Sequence, residues 1–236
     1  MKFFISPPFG NYIETNKTQS IKGSFTLEPR DGLLKQIYNT LYYSNYHNGW
    51  INKIGLRNPG IDYALQKYKN NTNGYNNNIL SIAILKKSDI DQFLTKIPNN
   101  TNLEINVSCP NAEKSMIDEN IHKFLNSNRK WCIVKVSPII SNDKLDEYYK
   151  KGFRQFHLSN TLPVLTGGLS GKSLIPYNQK NISYLKNKYQ DITIIGGGGI
   201  TSNEDIVLYK KFGADHISIS TLCFNPYQFL KFYFKI

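Results

Sequence analysis

The stretch Ile192-Thr193-Ile194-Ile195-Gly196-Gly197-Gly198-Gly199-Ile200-Thr201-Ser202-Asn203-Glu204-Asp205 packs three signals into one short segment. Ile192 to Gly196 is a β-branched run bounded by a turn signal, as expected of a parallel strand covered on both faces. The four glycines form a loop whose backbone can take conformations closed to other residues. Ser202-Asn203 ahead of Glu204-Asp205 is a helix start, because the side chains cap free N–H groups and the acids face the positive end of the helix dipole. The stretch therefore predicts one strand–loop–helix unit, with the helix over Asn203 to Phe212.

Working outward, the same alternation recurs along the chain. Short apolar runs at Phe3 to Ser6, Ser20 to Phe25, Leu80 to Leu85, Leu103 to Ser108, Cys132 to Ser137, Phe153 to Ser159 and His216 to Ser220 bring the candidate strands to eight. Between them, Ser88 to Thr95, Ile117 to Leu125, Asn142 to Lys151 and Asn178 to Lys188 read as helices, the first with Ser88 as its cap. Strands alternating with helices imply parallel pairing through right-handed crossovers. Six units would make a doubly wound sheet, but eight close a (β/α)8 TIM barrel, an α/β fold. With 236 residues against the ~250 typical of that barrel, one domain spanning 1–236 is expected. Pro7 to Gln19 leaves little room for a crossover helix, so a shortened N-terminal crossover and a short C-terminus are expected. Asn70 to Asn78 reads as an exposed loop.

Composition narrows the chemistry only slightly. The apolar fraction is 40%, mean hydropathy is −0.42, and 28 asparagines dilute the core-forming residues. The net charge of +12 suits lysine-covered helices, a phosphate-bearing cofactor, an anionic substrate or RNA. Cys109, Cys132 and Cys223 form no CxxC and no cluster with histidine, so no zinc or iron–sulfur motif is written and no metal is expected. Unpaired cysteines at wide spacing suit a reducing compartment. The first residues hold too short an apolar run for a leader or membrane span, so a cytoplasmic protein without membrane association is expected.

Barrel active sites are built where strands end, and chemistry-bearing residues collect there. The glycine run, together with Gly167-Gly168-Leu169-Ser170-Gly171 in what reads as a loop and Ser220-Thr221 after the last strand, suits phosphate held by backbone donors beside a helix N-terminus. The spacing is neither GxGxxG nor a Walker loop. Lys22 and Lys135 stand inside strands; pointing inward, each would need an anionic partner, and pointing outward, each would lie beneath a helix. Cys109, in Ser108-Cys109-Pro110-Asn111, follows a strand end and is a candidate base once its proton is lost. Asn106, Asn111 and Asn160 supply amides for a planar ligand rich in C=O and N–H edges.

Asn106-Val107-Ser108-Cys109-Pro110-Asn111, Thr26-Leu27-Glu28-Pro29-Arg30-Asp31-Gly32, Ile54-Gly55-Leu56-Arg57-Asn58-Pro59-Gly60, Gly167 to Gly171 and Gly196 to Ile200 together resemble the dihydroorotate dehydrogenases. Cysteine rather than serine at 109 resembles the soluble class 1 enzymes. The resemblance implies FMN across the barrel mouth, with Gly171, Gly198, Gly199, Ser220 and Thr221 at its phosphate and Ser6, Ser24, Asn106, Lys22 and Lys135 along the ring. It implies that Lys135 faces the flavin N1/O2 side and that Lys22 sits between flavin and substrate carboxylate. Dihydroorotate would be bound by Asn52, Ile54, Gly55, Leu56, Asn106, Asn111, Asn160 and Thr161, with Cys109 taking the C5 proton as hydride leaves C6. The product is orotate, in pyrimidine biosynthesis, and a homodimer is a further implication. The chain departs from the family pattern at Ile5-Ser6-Pro7, at Gly32-Leu33-Leu34 and in a short loop after Cys109. Those departures point to a second reading, an FMN-binding homologue without efficient turnover. A third is a flavin reductase resembling the tRNA-dihydrouridine synthases; the amide set fits a small pyrimidine acid better than nucleic acid.

Overall fold

The computed structural model describes residues 1–68, 78–107 and 119–236. In chain order the strands are β1 (Phe3–Ile5), β2 (Gln19–Phe25), β3 (Tyr42–Ser44), β4 (Gly49–Asn52), β5 (Ile79–Ile82), β6 (Leu103–Asn106), β7 (Cys132–Val136), β8 (Gln155–Leu158), β9 (Leu162–Val164), β10 (Gly167–Gly171), β11 (Thr193–Gly197) and β12 (His216–Ile219). The α-helices are α1 (Leu33–Thr40), α2 (Gly60–Tyr68), α3 (Asp89–Lys96), α4 (Asn142–Lys150), α5 (Ile175–Lys188), α6 (Asn203–Phe212) and α7 (Pro226–Tyr233). Eight strands close in the order β1-β12-β11-β8-β7-β6-β5-β2, every neighbouring pair parallel, so the fold is a (β/α)8 TIM barrel. All eight predicted strands are barrel strands, with ends that lie within three residues of the predicted ones.

The strand alternation sorts side chains into two cores. Phe4, Ile21, Ile79, Trp131, Ile133 and Ile195 fill the barrel's interior near the amino ends of the strands. Their neighbours in sequence, among them Ile5, Leu80, Val134 and Ile194, belong to the layer between barrel and helices. Further along each strand the interior turns polar: Ser6, Ser81, Glu104, Lys135, His157 and Ser218 are all buried. Ser6 and Ser218 hydroxyls bond each other directly across β1 and β12.

Some local expectations hold and others are corrected. The first crossover holds only a 3-10 turn, Phe9–Asn11, as its length required. Gly167–Gly171 is a strand rather than a loop: β10 pairs antiparallel with β4 and β9, and β3 completes a small sheet in the order β3-β4-β10-β9. Glycine at position 49 lets the two backbones meet, since a Cβ there would lie 2.5 Å from the Ser170 carbonyl oxygen. Ser88 does not cap α3 through its side chain; the Asp89 carboxylate instead accepts from the N–H groups of Leu85 and Lys86 at 3.1 and 3.0 Å. Ser202 does cap α6, in a reciprocal arrangement with Asp205. Helices α1, α2 and α7 were not predicted, and the predicted helix over Ile117 to Leu125 lies partly outside the described residues.

Candidate active site

The inward polar side chains form one continuous hydrogen-bond chain descending from the carboxyl ends of the strands. Asn160 Nδ2 donates to Asn106 Oδ1 at 3.2 Å, and Asn106 Nδ2 donates to Ser24 Oγ at 3.2 Å. Ser24 and Ser81 hydroxyls are 2.8 Å apart, and Ser81 donates to Glu104 Oε1 at 2.7 Å. Since the Ser81 proton is used on Glu104, Ser24 donates to Ser81. On the other side His157 Nδ1 lies 2.5 Å from Glu104 Oε2. Every donor in the chain therefore points toward one carboxylate, and such chains polarise cooperatively in a low-dielectric interior.

Glu104 is fully buried, and burial by itself would favour its neutral form. The charge of Lys135, whose Nζ is 3.7 Å away, and the bonds from His157 and Ser81 outweigh this and hold its pKa at about 2. Burial pushes His157 the other way from an ordinary imidazole, below its usual value, so the ring is neutral. Its Nε2 has no partner among the described residues.

The glycine-rich loop is fixed from behind. Gly198 and Gly199 both have left-handed φ, +91° and +75°, and a Cβ at Gly199 would lie 2.3 Å from the Gly171 carbonyl oxygen. Tyr209 Oη donates toward the carbonyls of Gly197 and Gly198 at 2.6 and 2.7 Å, and Asn178 Nδ2 donates to Gly197 O at 2.7 Å. Both anchors are completely buried. The loop runs straight into the capped amino end of α6, and Ser220 and Thr221 follow β12, the barrel neighbour of β11. Left-handed glycines, a helix N-terminus and two hydroxyl residues make a donor set that fits a phosphate group.

Among the expected site residues, Ser24, Asn106, Asn160 and Lys135 converge through the hydrogen-bond chain and the Glu104 ion pair. Thr161 adjoins them, its N–H donating to Asn160 Oδ1 at 2.8 Å, and a Cβ on Gly168 would lie 2.5 Å from its hydroxyl. Asn52 ends β4 opposite Gly168, and Ile54, Gly55 and Leu56 follow it, with left-handed φ at Gly55 and Leu56. Cys109 and Asn111 lie outside the described residues.

Lys22 is placed elsewhere. In β2 it pairs in register with Leu80, which faces the helices, whereas Ile21 pairs with the inward Ile79. Its ammonium meets Glu14 Oε1 at 2.5 Å and lies 5.5 Å from the centre of the Tyr68 ring on α2. Burial lowers its pKa and the Glu14 carboxylate raises it in opposition. The next position, Gly23, takes the inward turn without a side chain. The expectation of Lys22 in the site is therefore corrected: one residue of strand period separates the two faces. Sequence reasoning in turn missed Glu104 and His157. The sequence signal was partial: Glu104 precedes Asn106 by two residues and so shares its face of β6, whereas the pairing of His157 with Lys135 is seen only in the strand register.

Comparison with known proteins gives the family and the fold. A family model described as dihydroorotate dehydrogenase matches residues 11–232. The catalytic subunit of dihydroorotate dehydrogenase B (NAD(+)) from Oceanobacillus iheyensis is 31% identical over 209 residues, covering 76% of this chain and 68% of the relative. Its counterpart from Desulforamulus reducens is 30% identical over 252 residues, covering 93% and 80%. Among solved structures, ligand-free DHODH from Eimeria tenella superposes with a TM-score of 0.70 at 18% identity over 94% of this chain and 79% of that one, a likeness of fold.

Proposed function

Because the chain belongs to the dihydroorotate dehydrogenase family, we propose that it binds FMN at the barrel mouth and oxidises dihydroorotate to orotate. The observation that carries this reading is the convergence of Asn106, Asn160 and Lys135 at the strand ends beside a glycine loop built for an anion. Gly171, Gly198, Gly199, Ser220 and Thr221 would hold the phosphate, with Ser6, Ser24, Asn106 and Lys135 along the ring. When bound, FMN supplies the hydride acceptor. The chain's own residues bind and orient the substrate. Asn106, Asn160 and Thr161, with Asn111, meet the pyrimidine edges, and Asn52 with the backbone of Ile54, Gly55 and Leu56 meets the carboxylate. Lys135 contributes fixed positive charge where negative charge grows. Cys109 takes the C5 proton, a role for which a thiolate is suited.

The test is a visible spectrum followed by anaerobic dihydroorotate. A yellow protein that bleaches, and bleaches far more slowly as Cys109→Ala, supports the assignment. A colourless protein that cannot be reconstituted with FMN removes it.

The outward placement of Lys22 favours a second reading, an FMN-binding homologue with weak turnover, because it leaves Lys135 as the cation of the described inward set. A yellow protein that stays oxidised with dihydroorotate distinguishes this second reading from the first.

A further inference from the structure

The turn after β4, Ile54-Gly55-Leu56, is held in a conformation that its sequence does not favour. Gly55 and Leu56 both have left-handed φ, +71° and +55°. Glycine takes that region freely, but a leucine stays there only where its surroundings impose it. One neighbour does so. Asn58 Nδ2 donates to the Leu56 carbonyl at 2.7 Å and to Thr26 Oγ1 at 2.9 Å. Its Oδ1 accepts from the N–H groups of Thr26 and Gly60 at 3.1 and 2.9 Å. Two donors and two acceptor positions are all that a carboxamide has, so none is left for a ligand. The Asn58 backbone is fixed as well, exchanging hydrogen bonds of 2.8 and 3.0 Å with Arg30. At its other end the turn is tied to α1, where the Lys53 N–H donates to Thr40 Oγ1 at 3.0 Å. Between these anchors the N–H groups of Ile54, Gly55 and Leu56 make no hydrogen bond among the described residues.

We propose that Asn58 is a positioning residue for this turn. By holding the Leu56 carbonyl it keeps Leu56 left-handed, so the turn's N–H groups keep one arrangement before an anion arrives. That the anion is the carboxylate of dihydroorotate or orotate rests on the proposed function; the hold of Asn58 on Leu56 does not. Without the amide, Leu56 relaxes to an ordinary negative φ, the flanking peptide units rotate, and the donor set comes apart.

Two variants and a rescue separate this from a packing role. Asn58→Ala removes all four side-chain bonds, whereas Asn58→Asp keeps an acceptor for Thr26 and Gly60 and loses the donor to Leu56. In the ligand-free chain, NMR couplings and shifts of isotope-labelled Leu56 should report left-handed φ in the wild type and negative φ in both variants. Orotate titrated into the FMN-loaded protein should bind about tenfold more weakly to Asn58→Ala, the effect of forcing one leucine back into the left-handed region. Adding Leu56→Gly to that variant should recover most of the affinity, because glycine reaches the region unaided. Removing a further side chain would not repair lost packing. If Asn58→Ala fails to fold, Asn58→Asp carries both the φ measurement and the rescue. A Leu56 that stays left-handed without the amide overturns the proposal, as does an orotate affinity that is unchanged in the variant or not recovered by Leu56→Gly. A wild-type chain that binds no FMN or no orotate overturns the proposed function alone, because the φ of Leu56 still judges Asn58.

Discussion

Lys22 Nζ lies 2.5 Å from Glu14 Oε1 on the outer side of the barrel wall, one strand residue away from the interior it was expected to face. The two strand lysines therefore have different partners and different consequences. Lys22 is sealed between the first crossover and Tyr68, while Lys135 shares the interior with Glu104. Lys135→Met should weaken FMN binding by at least about tenfold, the effect of one lost charge-assisted contact. Lys22→Met should leave FMN affinity unchanged and alter only thermal stability. A fluorescence titration of FMN into both variants checks this, and an equal loss in the two would contradict the placement of Lys22.

The buried Glu104–His157 pair predicts an acid-sensitive fold. His157 has its pKa depressed below 6.5 by burial, so its share of stability is intact above 6.5 and is lost as pH falls from there, because the unfolded chain takes up the proton first. Glu104, depressed from 4.5 to about 2 chiefly by Lys135 against the pull of burial, adds a second loss as pH falls from 4.5 toward 2. Melting temperature against pH should therefore decline in two steps. His157→Asn should shrink the upper step to the share of His216, whose pKa burial also depresses, and keep the lower one. A profile that stays flat down to pH 4.5 would show that His157 is not held neutral.

Gly199 predicts a backbone-limited loop. Its φ of +75° alone costs a substituted residue about 1–2 kcal/mol, and the 2.3 Å approach of a Cβ to the Gly171 carbonyl adds a clash with backbone that cannot swing aside. Gly199→Ala should lower the melting temperature by several degrees and abolish FMN binding, whereas Gly32→Ala, also at positive φ but with open space around it, should affect stability alone. Calorimetry with and without FMN reads both effects.

What the sequence could and could not reveal follows from how local each signal is. Barrel strands such as Ile192 to Gly196 are legible because burial on both faces demands a continuous apolar run. Strand β10 reads as a loop because its glycines carry no strand preference; its pairing is set by contacts with β4, more than a hundred residues earlier. Helix α1 is only eight residues long and buries none of them, so its apolar pattern is too short to stand out. In the site, Asn106, Asn160 and Lys135 are found by residue type at strand ends. Lys22 misleads because the β2–β5 register shifts after Lys22, where the backbone turns at Gly23. Glu104 and His157 escape because their meaning lies in a contact across the barrel between strands that are not adjacent.

Tyr209 links α6 to the floor of the glycine loop, and its removal should loosen the loop without touching its sequence. Its hydroxyl is buried and spans two carbonyls, those of Gly197 and Gly198. Tyr209→Phe keeps the ring and its packing but leaves the Gly198 carbonyl without that donor; Gly197 retains the Asn178 amide. An unmet acceptor costs about 1–3 kcal/mol when fully buried, an upper bound for half-buried Gly198, and in a chain of this size each kcal/mol moves the melting temperature by roughly 2–4 °C. The two neighbouring peptide units would then be free to rotate, spoiling the alignment of the loop with the amino end of α6. Tyr209→Phe should therefore melt lower by a few degrees and bind inorganic phosphate and FMN more weakly together. Weaker melting with undiminished phosphate and FMN binding would mean that the loop holds its shape without the tyrosine, and that Gly171 and Asn178 suffice to fix it.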